Sequence, residues 1–293
     1  MGRDLANNFS ESRRVFEEAD DALNFPLTNL CFEGPEEDLR KTENTQPALL
    51  TVSIAALRVL TSERFRADIV AGHSLGEYSA LVAAGSLDFA DAVRLVRKRG
   101  RYMQQAVPQG VGAMAAILKL SDGALEGILQ EAAEGEVISA ANLNSPDQIV
   151  IAGHAGAVQR AMELAKRAGA RRVVLLPVSA PFHCPLMIPA QQQLRADLQS
   201  VSFRDLSIPL VNNWQARIIT SAEQARQGLY EQIPNPVRWT ETVRLLAREG
   251  VKKLVEVGAG TVLQGLCRSI EPSIAGAKFG EPADLEKTKQ FLA

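Results

Sequence analysis

IVAGHSLGEYSALVAAG, residues 69–85, decides how the rest of this chain is read. An apolar run ends at Gly72, His-Ser-Leu intervenes, and a helix-like pattern resumes at Gly76. Two readings account for the glycines. They let a helix pack closely on a sheet, or they hold a serine out on a strained strand-to-helix turn, where G-x-S-x-G presents a nucleophile. A turn of that kind leaves the first N–H groups of its helix without partners, so the Leu75 N–H is the obvious donor to an oxyanion forming beside Ser74.

Working outward, short strands alternate with helices, which predicts an α/β fold with a mostly parallel sheet. A helix is expected over residues 48–60, starting after Pro47, then a strand ADIVAG, the serine turn, and a helix closed by Gly85. Asp88 opens the next helix, which Pro108 and Gly110 stop. From 110 to 179 the order becomes strand, helix, two strands joined through Ser145-Pro146-Asp147, helix, strand. That βαββαβ order is the signature of a ferredoxin-like unit. The expected organisation is therefore a large α/β domain of residues 1–109 and 180–293 with a small ferredoxin-like domain, 110–179, inserted in it. VGAGTVL, residues 257–263, lacks the third glycine of a dinucleotide loop and reads as a tight strand-to-helix turn.

Bulk properties narrow the class. The 293 residues are 46% hydrophobic and 23% charged with a net charge of −2, so neither nucleic acid nor an anionic membrane is expected as the main partner. Cys31, Cys184 and Cys267 are far apart with no C-x-x-C pair, which argues against a disulfide framework and a zinc site and suits a reducing compartment. No apolar run reaches the roughly 18 residues a membrane span needs, and the polar opening MGRDLANNFSESRRVF is not a secretory signal. A cytoplasmic location is expected.

A nucleophilic serine needs a base, and the chain has three histidines. His73 adjoins Ser74, where neighbouring side chains diverge, and is expected to pack or line a pocket. His154, in GHAGA, reads as an exposed surface residue. His183 sits in the irregular apolar loop S-A-P-F-H-C-P and is the favoured partner. Arg99 is the most informative residue. The helix from Asp88 has an apolar arc of Phe89, Ala92, Val93, Leu95, Val96, Gly100 and Met103, with Arg94, Arg97, Lys98 and Arg101 opposite it. Arg99 projects from within the apolar arc. A buried guanidinium requires an anion, and spacing leaves the readings open: an internal Asp or Glu, a side chain that snorkels to an edge, or a clamp for a carboxylate on a substrate.

GHSLGEYSALVAAG, RKRGRYMQQAVPQGVGAMAAI, NLNSPDQIVIAGH, PVSAPFHCPLM, VNN, PNPVRW and VEVGAGTVLQGL, in that order, resemble the malonyl-CoA:acyl carrier protein transacylases of fatty acid synthesis. The resemblance implies an α/β-hydrolase-like large domain carrying a ferredoxin-like small one. It also implies an acyltransferase using malonyl-CoA and acyl carrier protein, with no cofactor. Ser74 matches the acylated nucleophile, His183 the general base, and Gln232 a residue whose main-chain carbonyl orients the histidine. Arg99 matches the arginine that pairs with the malonyl carboxylate; Leu75 gives an oxyanion N–H; Gln46, Met103 and Phe182 match pocket residues. Members of that family carry an apolar strand and a G-Q-G-S-Q loop ahead of the segment matching Met1–Leu5. Both are absent here, which points to a start codon assigned at an internal methionine. Two rival readings are a serine thioesterase or esterase, with Asp122 or Asp147 as the acid, and a homologue that binds without turnover.

Overall fold

The computed structural model describes residues 1–178 and 180–293, so Ser179, the last residue of the expected small domain, lies outside the described residues. The chain opens with α1 (Arg3–Asn8), α2 (Ser10–Leu23), α3 (Leu27–Glu33), the short α4 (Glu36–Leu39) and the long α5 (Thr42–Ser62). β1 (Val70–Ala71) leads through the serine turn into α6 (Gly76–Ala83) and α7 (Phe89–Gln105). Next come β2 (Gly112–Leu118), α8 (Ala124–Ala133), β3 (Ile138–Ser145), β4 (Gln148–His154), α9 (Ala155–Arg167) and β5 (Arg172–Leu175). The remainder is α10 (Ile188–Ser200), β6 (Leu210–Val211), β7 (Ile218–Ile219), α11 (Ala222–Glu231), α12 (Trp239–Arg248), β8 (Lys253–Val257), α13 (Val262–Ile270), β9 (Ala275–Phe279) and α14 (Leu285–Leu292).

The largest apolar core lies where α2, α5, α6, α7, α10 and α11 meet, with Leu50, Ile54, Tyr78, Leu81, Leu95 and Val96 buried at its centre. α7 crosses α5 closely because residue 100 is glycine: a Cβ there would stand 2.6 Å from the Thr42 carbonyl oxygen and 2.7 Å from Glu43 Cα. That crossing explains a departure from expectation. α5 begins at Thr42 and keeps Pro47 inside it, rather than starting after the proline. Proline costs a helix one hydrogen bond, but packing of these first turns against α7 outweighs the local preference.

The strand order β3-β4-β2-β5, antiparallel throughout, matches the elements expected from residues 110–179. α8 and α9 cover one face of this sheet through Ile128, Val158, Ala161 and Ala165. β3 is tied to the rest of the chain at Val237, whose carbonyl accepts the Leu143 N–H and whose N–H donates to the Ala141 carbonyl, flanking Asn142.

The remaining strands correct the expectation of one mostly parallel sheet. β1 and β6 are parallel with β7 antiparallel at the edge, while β8 and β9 pair in parallel as a separate sheet. β1 is only two residues long, because the chain must leave the sheet at Gly72 to make the serine turn. β7, α11, β9 and α14 lie in stretches whose pattern predicted no element. The 257–263 turn joins β8 to α13 as expected, and the Glu256 carboxylate accepts from the N–H groups of Leu263 (3.1 Å) and Gln264 (2.8 Å). The anion place at that helix start is thus filled from within the chain. Among the described residues, no helix is long and apolar enough to cross a membrane, and no cluster of His, Cys, Asp or Glu is arranged to hold a metal.

Candidate active site

Ser74 sits between β1 and α6 with φ at 52°, the left-handed conformation expected of a serine held out on a sharp turn. The two glycines of the motif differ in role. A Cβ on Gly72 would lie 1.9 Å from the Gly76 carbonyl oxygen, whereas one on Gly76 meets nothing within 4 Å. Gly72→Ala is expected to destabilise the protein by about 3 kcal/mol or more, and Gly76→Ala by less than about 1 kcal/mol. Urea unfolding of the two variants checks this; equal midpoints would contradict it. Asn213, two residues past β6, braces the turn on both sides: Oδ1 accepts the Ser74 N–H at 2.6 Å and Nδ2 donates to the Gly72 carbonyl at 2.7 Å.

The structure brings Ser74, His183 and Arg99 together. Ser74 Oγ is 2.7 Å from His183 Nε2, although 109 residues separate them. His183, 3% exposed, lies in the loop before α10 with its Nδ1 2.9 Å from the Gln232 main-chain carbonyl. A carbonyl can only accept, so Nδ1 carries the hydrogen and Nε2 turns its lone pair to the serine hydroxyl. Burial, reinforced by the Arg99 charge, pushes the imidazole down to about 3, so it is neutral at physiological pH. Among the described residues no carboxylate orients the ring; Asp122 and Asp147, both exposed, lie in turns of the β2–α8 and β3–β4 connections.

Arg99 is 2% exposed, and among the described residues no carboxylate forms an ion pair with it. Its Nη1 donates to Gln46 Oε1 (2.6 Å), and its Nη2 donates to Gln232 Oε1 (2.8 Å) and to Ser74 Oγ (3.1 Å). Its Nε is buried with no hydrogen-bond partner among the described residues. The cation therefore rests on neutral oxygens, one of them the candidate nucleophile itself. Met103, one turn along α7, is buried, and Phe182 is half-buried and packed on the same core. The Leu75 N–H makes no hydrogen bond to any described residue.

The chain matches the acyl transferase domain over residues 1–273. It belongs to the acyl transferase family. It is 48% identical to the malonyl CoA-acyl carrier protein transacylase of Escherichia coli (strain K12) over 284 residues, 97% of this chain and 92% of that protein. A crystal structure of an acyl carrier protein S-malonyltransferase from Vibrio cholerae superposes with a TM-score of 0.96 at 45% identity, covering 98% of this chain and 94% of that one. A malonyl-transacylase solved in complex with its type II PKS acyl-carrier protein also gives a TM-score of 0.96 at 45% identity, covering 99% and 94%. The chain is thus an acyltransferase of mixed α/β architecture.

Other expectations fare differently. His73 packs as expected: its Nε2 lies 2.8 Å from Asn144 Oδ1 and its ring is tilted against Trp239. His154 is not an exposed residue; it is half-buried at the end of β4, and its Nδ1 accepts the Val137 N–H at 2.9 Å, which ties down the strand end. Cys184, beside His183, donates to the Pro181 carbonyl and is pushed by burial up to about 11, far from a reactive thiolate. Asn213 and Glu77 were not anticipated. Two buried asparagines directly after a short apolar strand, where a polar side chain needs partners, were the available signal for Asn213.

Proposed function

We propose that this chain transfers a malonyl group from malonyl-CoA to the phosphopantetheine thiol of an acyl carrier protein through an ester on Ser74. One observation carries the reading: a buried guanidinium that forms no direct ion pair with a carboxylate among the described residues stands 3.1 Å from the serine oxygen. An acyl group bearing a carboxylate would supply the missing anion at the distance of a short acyl chain from the nucleophile. The names of its relatives agree with that chemistry.

In the first step the Ser74 hydroxyl gives its proton to His183 Nε2 as Oγ attacks the thioester carbon. The negative charge on the carbonyl oxygen is met by the Leu75 N–H, and the charge forming on the imidazole is stabilised by the Gln232 carbonyl acting on Nδ1–H. His183 returns the proton to the departing CoA thiolate. In the second step the carrier thiol loses its proton to His183 and attacks the serine ester, and Ser74 leaves with that proton restored. Gln46 and Gln232 hold the Arg99 fork in place, with Met103 and Phe182 as pocket walls. The fold suits this: an α/β-hydrolase-like body carries the serine turn, and residues 110–179 form an inserted ferredoxin-like unit, supported by the strand order β3-β4-β2-β5. Three buried, unpaired thiols support a reducing, cytoplasmic setting.

The direct test is intact-protein mass after brief exposure to malonyl-CoA, with the thiol of acyl carrier protein added second. A malonyl-sized increase that disappears on adding carrier protein is expected; an increase that persists in Ser74→Ala would defeat the reading. Arg99→Ala is expected to lower the malonyl-to-acetyl selectivity about 30-fold or more, since a buried charged partner is typically worth 2 kcal/mol and upward. Equal losses on both substrates in single-turnover acylation would remove Arg99 from the clamp role.

A further inference from the structure

We propose that Glu77 is an ionisable counter-charge to Arg99, coupled to it through the Gln232 amide, and that its charge state sets how strongly the site prefers acyl groups bearing a carboxylate. The proposal rests on the malonyl reading above and concerns a residue which that mechanism does not use.

Glu77 lies in the first turn of α6, where an exposed acidic residue would simply complement the helix dipole. Instead it is 0% exposed, beneath the serine turn. Its Oε2 accepts from the Asn213 N–H (3.1 Å) and from Gln232 Nε2 (2.8 Å), while its Oε1 is buried with no hydrogen-bond partner among the described residues. Gln232 Nε2 also donates to the Ser74 carbonyl at 2.9 Å, so both amide hydrogens are committed and the amide oxygen is left for Arg99 Nη2. One amide thus links the carboxyl to the guanidinium, and the main-chain carbonyl of the same residue holds His183. α11 closes the far side at Gly228, where a Cβ would stand 3.3 Å from Glu77 Oε1.

The charged and titratable groups around Glu77 are few. Arg99 faces it from α7, Tyr78 adjoins it on α6, and His183 shares the field of Arg99 from the loop before α10. Burial raises the carboxyl to about 7, against the opposing pull of Gln232, Asn213 and Arg99. Glu77 therefore changes charge within the neutral range.

The consequence follows from competition for one cation. With Glu77 protonated, the Arg99 charge is uncompensated and draws an acyl carboxylate. With Glu77 ionised, the incoming carboxylate meets a partly neutralised cation and a second buried anion. By linkage, a carboxylate bound at Arg99 raises the proton affinity of Glu77 by the same factor, the proton coming from bulk water. An uncharged acyl group such as acetyl does neither.

The test is single-turnover acylation of Ser74 by malonyl-CoA and by acetyl-CoA from pH 6 to pH 9, read as the ratio of the two rate constants. The ratio cancels the titration of His183 and of the CoA phosphates, which both substrates share. In the wild type the malonyl-to-acetyl ratio is expected to fall about tenfold as pH rises through 7. Glu77→Gln keeps an acceptor for Asn213 and Gln232 and is uncharged at every pH, so its ratio is expected to stay flat near the low-pH value. A flat ratio in the wild type, or the same slope in Glu77→Gln, overturns the proposal. Absence of malonyl acylation at every pH overturns the malonyl reading as well, which separates the two failures. Should Glu77→Gln not fold, proton uptake by the wild type at pH 8 decides: a fraction of a proton with malonyl and none with acetyl supports the coupling, and equal uptake refutes it.

Discussion

Ser74→Ala will lower malonyl transfer at least about 10⁴-fold and abolish the acyl-protein species. The size follows from what the residue does: without Oγ there is no atom 2.7 Å from His183 Nε2 to attack, and direct attack by the carrier thiol is left without the covalent step. Fold should be unaffected, because the turn is held by main-chain contacts and by Asn213 rather than by the hydroxyl. Steady-state transfer assays with circular dichroism as a folding control measure this. Residual transfer within about tenfold of wild type would mean that the covalent route is not the main one.

His183→Ala will cost about as much, and Ser74→Ala/His183→Ala will be no worse than either alone, since the two residues act as one unit. Additive losses in the double variant would show that they act independently. The buried imidazole also makes a pH prediction. Its ordinary value is 6.5 and burial, with Arg99, takes it to about 3 in the folded protein. The base is therefore already neutral at pH 5, and the acid limb of Ser74 acylation is expected well below the usual histidine range. Stability moves with the same sign: the unfolded chain takes up a proton as pH falls below 6.5 while the folded chain does not until about 3. Stability contributed by the neutral ring is thus complete above 6.5 and lost toward pH 3, a loss of about 4–5 kcal/mol across that window. Urea unfolding at pH 7 and pH 4, compared between wild type and His183→Ala, isolates this part.

The residues legible from the chain alone are those that break a local pattern. Ser74 interrupts an apolar strand at a glycine turn, Arg99 puts a charge into an apolar helical arc, and His183 stands in an apolar proline-bracketed loop. Each would be costly without a purpose, and all three meet within hydrogen-bond distance of Ser74 or its partners. The whole-chain resemblance then separated the readings of Arg99 that spacing had left open. Gln232 could be reached only by that resemblance. Its main-chain carbonyl has no signature, since any residue carries one, and that carbonyl is available to the histidine because α11 ends there. Glu77 was invisible for the opposite reason: its place in a first helical turn is where an acidic residue is ordinary, and only burial makes it unusual. Pro47 misled because local propensity was overruled by the α5–α7 crossing.

By itself the sequence determined the alternation of strands and helices, the βαββαβ segment, the serine turn and the three side chains around which the chemistry is proposed. Those are properties of nearest neighbours and of periodicity, which a single chain carries in full. Tertiary structure alone decided that the parallel strands separate into two sheets and that Glu77 reaches Arg99 only through the Gln232 amide, with no direct ion pair to Arg99 among the described residues. The reason is physical: burial, and the partners that make burial tolerable, depend on which distant segments meet, and charge in a low-dielectric interior is governed by those meetings rather than by spacing along the chain.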